Sequence, residues 1–141
     1  AMDLVLQKAT ELGVTEIYPI LAERSVIHTL NLERAESIIQ EACEQCERLD
    51  KPQLFKPTTL SEALALLKEN ADVIWLSERG KSCGKKTNLP PAFFVGPEGG
   101  WSPKEQELLR KSKAIEWHLG QTILRAETAC IAALALCLSE N

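Results

Sequence analysis

The sequence predicts an α/β protein with a mostly parallel sheet and helices on both faces. Short apolar runs rich in β-branched and aromatic residues alternate along the chain with longer segments of helical periodicity. Such alternation favours parallel strands, because each crossover helix returns the chain to the same edge of the sheet. The 141 residues, of which 45% are hydrophobic, are enough for one domain with a core.

Capping signals locate the predicted helices. Gly13 can end the first helix, and Asn31 can cap a long second helix that Pro52 ends. Thr59-Leu60-Ser61-Glu62 and Ser102-Pro103-Lys104-Glu105 have the pattern of capping boxes, in which the first and fourth residues satisfy each other's backbone N–H groups. The predicted helices span residues 4–12, 32–49, 60–69, 103–111 and 125–140.

Five apolar segments predict strands. Residues 72–77 give the strongest signal, because apolar and β-favouring side chains fill the interior of the segment. Pro19 lies inside the first segment and predicts an edge position or a bulge there, since proline has no N–H to donate. The predicted strands span residues 16–22, 53–55, 72–77, 93–95 and 114–119.

Charge and cysteine content argue against some classes of protein. The net charge of −4 indicates that the surface as a whole does not attract nucleic acid, so an RNA contact would need a local basic patch or another domain. Five cysteines in a chain of this size predict reduced thiols and a cytoplasmic location. The longest apolar run, residues 129–138, is too short to cross a membrane and predicts a buried helix or a helix at a subunit interface.

The chain is organised around residues 93–105, which predict a buried strand, a glycine-rich turn and the start of a helix. Gly96, Gly99 and Gly100 allow the backbone to turn sharply and to approach a ligand without a Cβ in the way. Open α/β sheets bind ligands at loops that follow the carboxyl ends of strands. We therefore favour a ligand-binding loop over the alternative, a tight structural turn.

A second informative segment, residues 119–128, leaves a predicted strand and enters an alanine-rich helix. It exposes Ile123 and Leu124 where a core-facing strand should have ended. Ordinary capping explains Glu127, because a carboxylate in the first turn complements the helix dipole. Arg125 lies at the same helix start, where the dipole disfavours a cation, and this indicates a functional role.

Three other patterns in the sequence resemble functional motifs but have simpler explanations. Residues 80–87 resemble a phosphate-binding loop, but their glycine and lysine spacing departs from that motif and argues against a nucleoside triphosphatase. The basic residues of this loop predict either a solvated surface or a phosphate-backbone contact: Arg79, Lys81, Lys85 and Lys86. Cys43 and Cys46 have metal-like spacing without a second pair, so we predict no metal site. The two histidines lack the motifs of a hydrolytic triad.

Four segments in order resemble the RsmE family of ribosomal RNA methyltransferases, which modify N3 of a uridine in 16S RNA. Gly96-Pro97-Glu98-Gly99-Gly100 and residues 119–129 carry most of this resemblance, and residues 7–14 and 41–46 are similar to further motifs of the family. The resemblance runs from about residue 3 to residue 138.

The resemblance implies a SPOUT fold across residues 1–141, in which the C-terminal segment of the domain is threaded into a trefoil knot. It also implies S-adenosylmethionine as methyl donor, a homodimer packed through the knot region, and 16S rRNA or the small ribosomal subunit as partner. In such enzymes three loops hold the cofactor, and here these would contribute Leu76, Ser77, Val95, Gly96, Pro97, Gly99, Gly100, Leu119, Gly120, Ile123 and Leu124.

The chain departs from the family in three places. The family usually carries an N-terminal RNA-binding PUA-like barrel; this sequence lacks it, so we expect a preceding domain to be missing and RNA affinity to be low in this chain alone. Many members have Gly-Pro-Arg where this chain has Gly120-Gln121-Thr122, so one cation near the site is absent. Residues 31–41 are also short against many members.

Methyl transfer from a sulfonium is an in-line displacement that needs no metal, but uridine N3 must lose its proton. We hypothesise that Arg125 stabilises the developing charge or grips a phosphate of the target nucleotide. Glu98 is a candidate general base, or it orders its own loop through backbone N–H groups. The alternatives are a SPOUT methyltransferase acting on another RNA and a dimeric module that binds cofactor or RNA without catalysis.

Overall fold

The structure, a computed structural model, describes residues 2–25, 30–77, 87–119 and 122–139. Every predicted helix and strand is present in this part of the chain, which confirms the α/β class, although several bounds differ. In chain order the elements are α1 (Met2–Glu11), β1 (Glu16–Ile17), α2 (Leu32–Gln45), β2 (Gln53–Leu54), α3 (Leu60–Leu67), β3 (Asp72–Leu76), β4 (Pro91–Phe94), α4 (Pro103–Lys111), β5 (Ile115–Trp117) and α5 (Ala126–Ser139).

All pairs between these strands are parallel, as predicted, but the strands form two sheets where one was expected. β1 pairs with β2, and β3 lies between β4 and β5 in a three-stranded sheet. In the larger sheet, Trp75 is beside Phe94, and Leu76 is beside Trp117. This register brings the carboxyl ends of three strands to the same edge.

The first predicted strand, residues 16–22, is only partly formed. β1 ends at Ile17, and pairing resumes at a single bridge between Ile20 and Thr58. Pro19 interrupts the ladder because it has no N–H to donate, while its carbonyl still accepts a hydrogen bond from Thr58 N at 3.0 Å. The expected irregularity at Pro19 is therefore confirmed, and the expected continuous strand is wrong.

The larger core covers one face of the three-stranded sheet. Trp75 and Phe94 project to this face and are 5% and 6% exposed. Burial of each large apolar side chain contributes about 1.5–3 kcal/mol, so this packing holds α3 and α4 firmly against the sheet. Apolar side chains of these two helices are buried in the same cluster: Leu60, Ala63, Leu64, Leu67 and Leu109.

The other face of the same sheet is also covered. Ile74 is fully buried, and Trp117 is 4% exposed. The rings of Phe93 and Trp117 lie 5.5 Å apart on this face, tilted by 58°. Strands buried on both faces account for their nearly continuous apolar sequences.

A second core joins α1 to α2. Its buried members are Leu6 on α1 and Ala35, Ile39 and Cys43 on α2. Because these residues recur at helical spacing, each helix presents one apolar stripe to the other. α1 also contacts α5, whose Ala133 is fully buried.

The ends of α1 and α2 have different origins. Gly13 ends α1 as predicted: its φ is +90°, and Val14 N donates to Ala9 O at 3.2 Å across the turn. α2 ends at Gln45 rather than at residue 49, because Glu47 adopts the left-handed conformation with φ 62°. The prediction that Pro52 ends this helix is therefore wrong.

The Arg48 side chain links the ends of α1 and α2, and we expect it to be important for stability. Its guanidinium NH1 donates to Thr10 O at 2.8 Å and to Val14 O at 3.0 Å, and the side chain is 13% exposed. Arg48→Ala should lower the free energy of unfolding by about 2 kcal/mol, because two acceptors lose a charged donor.

Urea unfolding of the purified chain measures this change. Arg34→Ala is a suitable control, since Arg34 contributes only an exposed ion pair with Asp3 at 2.6 Å and should affect stability much less. Equal losses in the two variants would contradict the role assigned to Arg48.

Candidate functional site

The candidate site lies at the edge where β3, β4 and β5 end. Because the strands are adjacent and parallel, the segments that follow them begin side by side. Ser77 N donates to Trp117 O at 2.9 Å, which extends the pairing of β3 with β5 to the last residue before the loop. His118 Nδ1 lies 3.5 Å from Ser77 O in the same region.

Residues 96–100, which we call the glycine turn, form a tight turn after β4. Gly100 N donates to Pro97 O at 2.8 Å, which closes the turn around Glu98 and Gly99. Gly100 has φ +79°, a conformation that side chains rarely adopt, and a Cβ there would meet nothing within 4 Å. Its backbone therefore borders open space at the edge of the sheet.

Gly96 is required for another reason. A Cβ at this position would lie 3.0 Å from Trp101 Nε1 and 3.2 Å from two ring carbons of the same indole. Trp101 is 5% exposed and belongs to the large core, so it cannot move aside easily. The turn thus packs on a buried ring.

A capping box fixes the helix that follows the turn. Ser102 Oγ accepts from Glu105 N at 3.2 Å, and Glu105 Oε1 accepts from Ser102 N at 2.9 Å. Gln106 Nε2 donates to Trp101 O at 3.0 Å and holds the last turn residue. The observed start of α4 at Pro103 agrees with the prediction.

The apolar residues of the three candidate loops are only partly covered. Ile123, just before α5, is 75% exposed, which is high for an isoleucine side chain. The aliphatic side chains Leu76 at the end of β3, Val95 after β4, Leu119 after β5 and Leu124 before α5 are half-buried. Together with the open backbone at Gly100, they give the edge the mixed character that a small organic ligand requires.

The two residues predicted to act in catalysis are exposed. The Arg125 side chain is 86% exposed, and its NH1 lies 3.9 Å from Glu127 Oε1, a distant and screened ion pair. Arg125 O accepts from Ala129 N at 2.9 Å, so this residue caps α5 through its backbone. Its guanidinium therefore remains available to a ligand.

Glu98 lies at the tip of the glycine turn and is exposed. Within the described ranges its carboxylate accepts no hydrogen bond from a backbone N–H. The proposed role of Glu98 in ordering its own loop thus has no contact to support it here. An exposed carboxylate at this position can instead contact a ligand.

Some predicted residues cannot be located. Gly120 and the basic residues Arg79, Lys81, Lys85 and Lys86 lie outside the described residues, as does His28. The predicted phosphate-backbone contact and one predicted cofactor residue therefore stay predictions. Of the other predicted cofactor residues, Leu76 ends β3, Ser77 follows it, residues 95–100 follow β4, and Leu119 lies two residues after β5. Ile123 and Leu124 come just before α5, and their place at this edge stays a prediction.

Sequence reasoning missed two contacts that a distant part of the chain makes, one with the glycine turn and one with the start of α4. Arg24 NH1 donates to Gly99 O at 3.3 Å, and Glu105 Oε2 accepts from Glu23 N at 3.2 Å. Glu105 was noticed only as a helix cap. No local pattern marks Arg24, because its partner is 75 residues away.

The thiols and carboxylates of the described residues limit the possible chemistry. Burial raises the pKa of the Cys130 thiol to about 11, so this group stays protonated at neutral pH and is a poor nucleophile. In the described ranges no three His, Cys, Asp or Glu side chains are grouped so that they could hold a metal ion. No described helix is long and apolar enough to cross a bilayer.

Known proteins share this fold and much of this sequence. The family described as RNA methyltransferase domain matches residues 1–138. The chain is 36% identical over 142 residues to the ribosomal RNA small subunit methyltransferase E of Rickettsia conorii, an alignment that covers 94% of this chain and 57% of the relative.

Two solved structures are similar along nearly the whole chain. The ribosomal RNA small subunit methyltransferase E of Neisseria gonorrhoeae, bound to S-adenosylmethionine, has a TM-score of 0.91 and 34% identity, covering 99% of this chain and 60% of that one. A Legionella pneumophila protein in complex with the same cofactor has a TM-score of 0.88 and 32% identity, covering 99% and 61%. This chain therefore spans less than two thirds of the length of these proteins.

The contact between Gly96 and Trp101 leads to a prediction about stability. Gly96→Ala should destabilise the chain by about 1–3 kcal/mol, because the added methyl group overlaps a buried ring. The melting temperature and the urea midpoint measure this loss.

A double-mutant cycle separates the overlap from a backbone effect. In a Trp101→Phe background, the smaller ring leaves room for the methyl group, so Gly96→Ala should cost much less. If the cost is the same in both backgrounds, the indole is not the reason that glycine is needed at position 96.

Proposed function

We propose, because the chain belongs to the RNA methyltransferase domain family, that it binds S-adenosylmethionine at the edge of β3, β4 and β5 and methylates RNA. The glycine turn carries this proposal: its backbone is open at Gly100, and half-buried aliphatic side chains lie at or just after the ends of the same three strands. These features fit a ligand that has a flat apolar ring and several hydrogen-bonding groups. Solved proteins similar to this chain hold that cofactor.

The residues proposed to hold the cofactor fall into two groups. Backbone groups of the turn, at Gly96, Pro97, Gly99 and Gly100, are suited to hydrogen bonds with the adenine and the ribose. Aliphatic side chains are suited to flank the rings, and Ser77 follows β3 with its backbone N–H bonded to Trp117 O of β5. The full proposed set is Leu76, Ser77, Val95, Gly96, Pro97, Gly99, Gly100, Leu119, Gly120, Ile123 and Leu124.

We propose N3 of a uridine in 16S rRNA as the methyl acceptor. The relatives named ribosomal RNA small subunit methyltransferase E support ribosomal RNA as the substrate class. The precise atom follows from the resemblance of the two loop motifs to the RsmE family. The proposed partner is therefore 16S rRNA or the small ribosomal subunit, and the proposed location is the cytoplasm.

Methyl transfer to uridine N3 requires two tasks of the side chains near the edge where β3, β4 and β5 end. When bound, S-adenosylmethionine supplies an electrophilic methyl carbon. The chain must position a uridine with N3 toward that carbon, and positioning alone can contribute several kcal/mol. It must also favour the deprotonated base. We assign Arg125 to the developing negative charge, since its guanidinium is 86% exposed and lies 3.9 Å from Glu127 Oε1. Glu98 remains a candidate proton acceptor.

A C-terminal trefoil knot and a homodimer complete the proposal. The TM-scores with solved relatives support the same path of the chain through this domain. Leu136 and Leu138 on α5 are 38% and 46% exposed. Exposed apolar side chains near the end of a helix are typical of an interface between subunits.

One further class of function has an observation in its favour. The net charge of −4 weakens attraction to RNA, which favours a dimeric module that binds cofactor without catalysis. A dimeric module that binds RNA without catalysis and methylation of another RNA are the remaining alternatives.

Calorimetric titration with S-adenosylmethionine, with light scattering for the mass, tests the proposal. We expect saturable binding by a dimer, and no binding of ATP, which has the same adenine but a triphosphate that this turn is not built to hold. Incubation with small ribosomal subunits and labelled cofactor should place the label on a uridine of 16S rRNA, identified after digestion to nucleosides.

Each result separates two of the alternatives. Binding without transfer to any RNA would favour the non-catalytic module, whereas transfer to another RNA would change only the substrate. A well-folded chain that binds no S-adenosylmethionine would overturn the proposed function.

Arg125→Ala tests the assignment of that residue. Methyl transfer should fall roughly 100-fold, as when one group that stabilises developing charge is removed, while affinity for S-adenosylmethionine changes little. Lys104→Ala removes another exposed cation from the first turn of a helix and is the matched control. Normal turnover by Arg125→Ala would contradict the assigned role.

A further inference from the structure

Residues 22–24 form a short segment that packs against the glycine turn and the start of α4. This segment follows the bridge between Ile20 and Thr58. Ala22 is 7% exposed and belongs to the same core as Trp101. The segment is therefore fixed at one end before it reaches the turn.

The first contact is made by the Glu105 carboxylate. Its Oε1 accepts from Ser102 N at 2.9 Å, and its Oε2 accepts from Glu23 N at 3.2 Å. The residue is 5% exposed. One carboxylate thus joins the start of α4 to a turn 82 residues earlier in the chain. A helix cap alone would need only the bond to Ser102.

The second contact is made by Arg24. Its NH1 donates to Gly99 O at 3.3 Å, and a Cβ at position 99 would lie 3.2 Å from both Arg24 Cβ and Arg24 O. The backbone of the turn therefore lies directly against Arg24. Gly99 allows this approach because it has no side chain.

We infer that Glu105 and Arg24 are positioning residues that hold the glycine turn in the conformation required for cofactor binding. We call these two contacts the side brace. The inference rests on the proposed function, because it assigns S-adenosylmethionine to this turn. Neither residue needs to touch the cofactor: each acts through the backbone of Gly99 or the start of α4.

The side brace affects the fraction of molecules in which the glycine turn has the conformation that binds the cofactor. Inside the turn, one backbone hydrogen bond, from Gly100 to Pro97, opposes the flexibility of three glycines. If the turn is correctly formed only part of the time, the apparent dissociation constant of the ligand increases in inverse proportion to that fraction. The side brace keeps the fraction high before the ligand arrives.

Two substitutions remove one contact each. Gln is accepted in the fourth position of a capping box, so Glu105→Gln can keep the bond to Ser102. Its single remaining acceptor oxygen cannot also serve Glu23 N. Arg24→Met keeps a long apolar stem against Gly99 and removes the donor, whereas Arg24→Lys keeps a donor.

The matched control is Glu62→Gln. Glu62 occupies the fourth position of the corresponding motif at α3, where Glu62 N donates to Thr59 Oγ1 at 3.2 Å, but it is exposed and far from the turn in sequence. Loss of its charge should have a similar small effect on helix stability and no effect on cofactor binding.

Two measurements test the side brace in the 141-residue chain. We expect Glu105→Gln and Arg24→Met each to weaken the affinity for S-adenosylmethionine roughly 10-fold, as loss of a hydrogen bond to a charged group predicts. Hydrogen exchange at the Gly100 amide, without cofactor, should accelerate in both. Arg24→Lys should restore part of the affinity, and Glu62→Gln should behave as the unmodified chain.

The outcomes separate this inference from the proposed function. If the unmodified chain binds no S-adenosylmethionine, the proposed function fails, and the Gly100 exchange rate still decides whether the side brace holds the turn. If Glu105→Gln does not fold, the comparison of Arg24→Met with Arg24→Lys tests the inference. Unchanged affinity and unchanged exchange in the folded variants would overturn the inference.

Discussion

Parallel pairing of β3 with both of its neighbours determines where ligands can be bound in this chain. Because β4, β3 and β5 run in the same direction, three connections that are distant in sequence begin at one edge. Burial of Trp75 and Phe94 on one face and Ile74 on the other holds the strands in this register. A slip by one residue would reverse these faces, so the position of the candidate site depends on core packing.

The capping chemistry of the helices was largely encoded in local sequence. Ser102 and Glu105 predicted the start of α4, and its observed bounds match residues 103–111 because both halves of the capping box form. The end of α2 could not be predicted in this way. Glu47 adopts φ 62°, a conformation usually taken by glycine, and no neighbouring residue signals it.

The contacts that surround the candidate site were less predictable than the site itself. Alternation and apolar runs place the ends of the strands, whereas the grouping of the glycine turn with the segment before α5 comes from the resemblance to the RsmE family. The contacts of Arg24 and Glu105 join residues 75 and 82 positions apart. They exist only after the chain has folded, and periodicity or capping patterns carry no information about them.

The three glycines of the turn illustrate why a glycine-rich motif alone is weak evidence for a ligand. Gly96 is needed because the Trp101 indole lies beneath it, and Gly99 because Arg24 lies beside it. Both therefore serve contacts within the protein, which the expectation of an open ligand loop did not anticipate. Only Gly100 combines a positive φ with empty space. Among the described residues the protein packs against the turn at Gly96 and Gly99, so the backbone at Gly100 is the part of the turn that is open to a ligand.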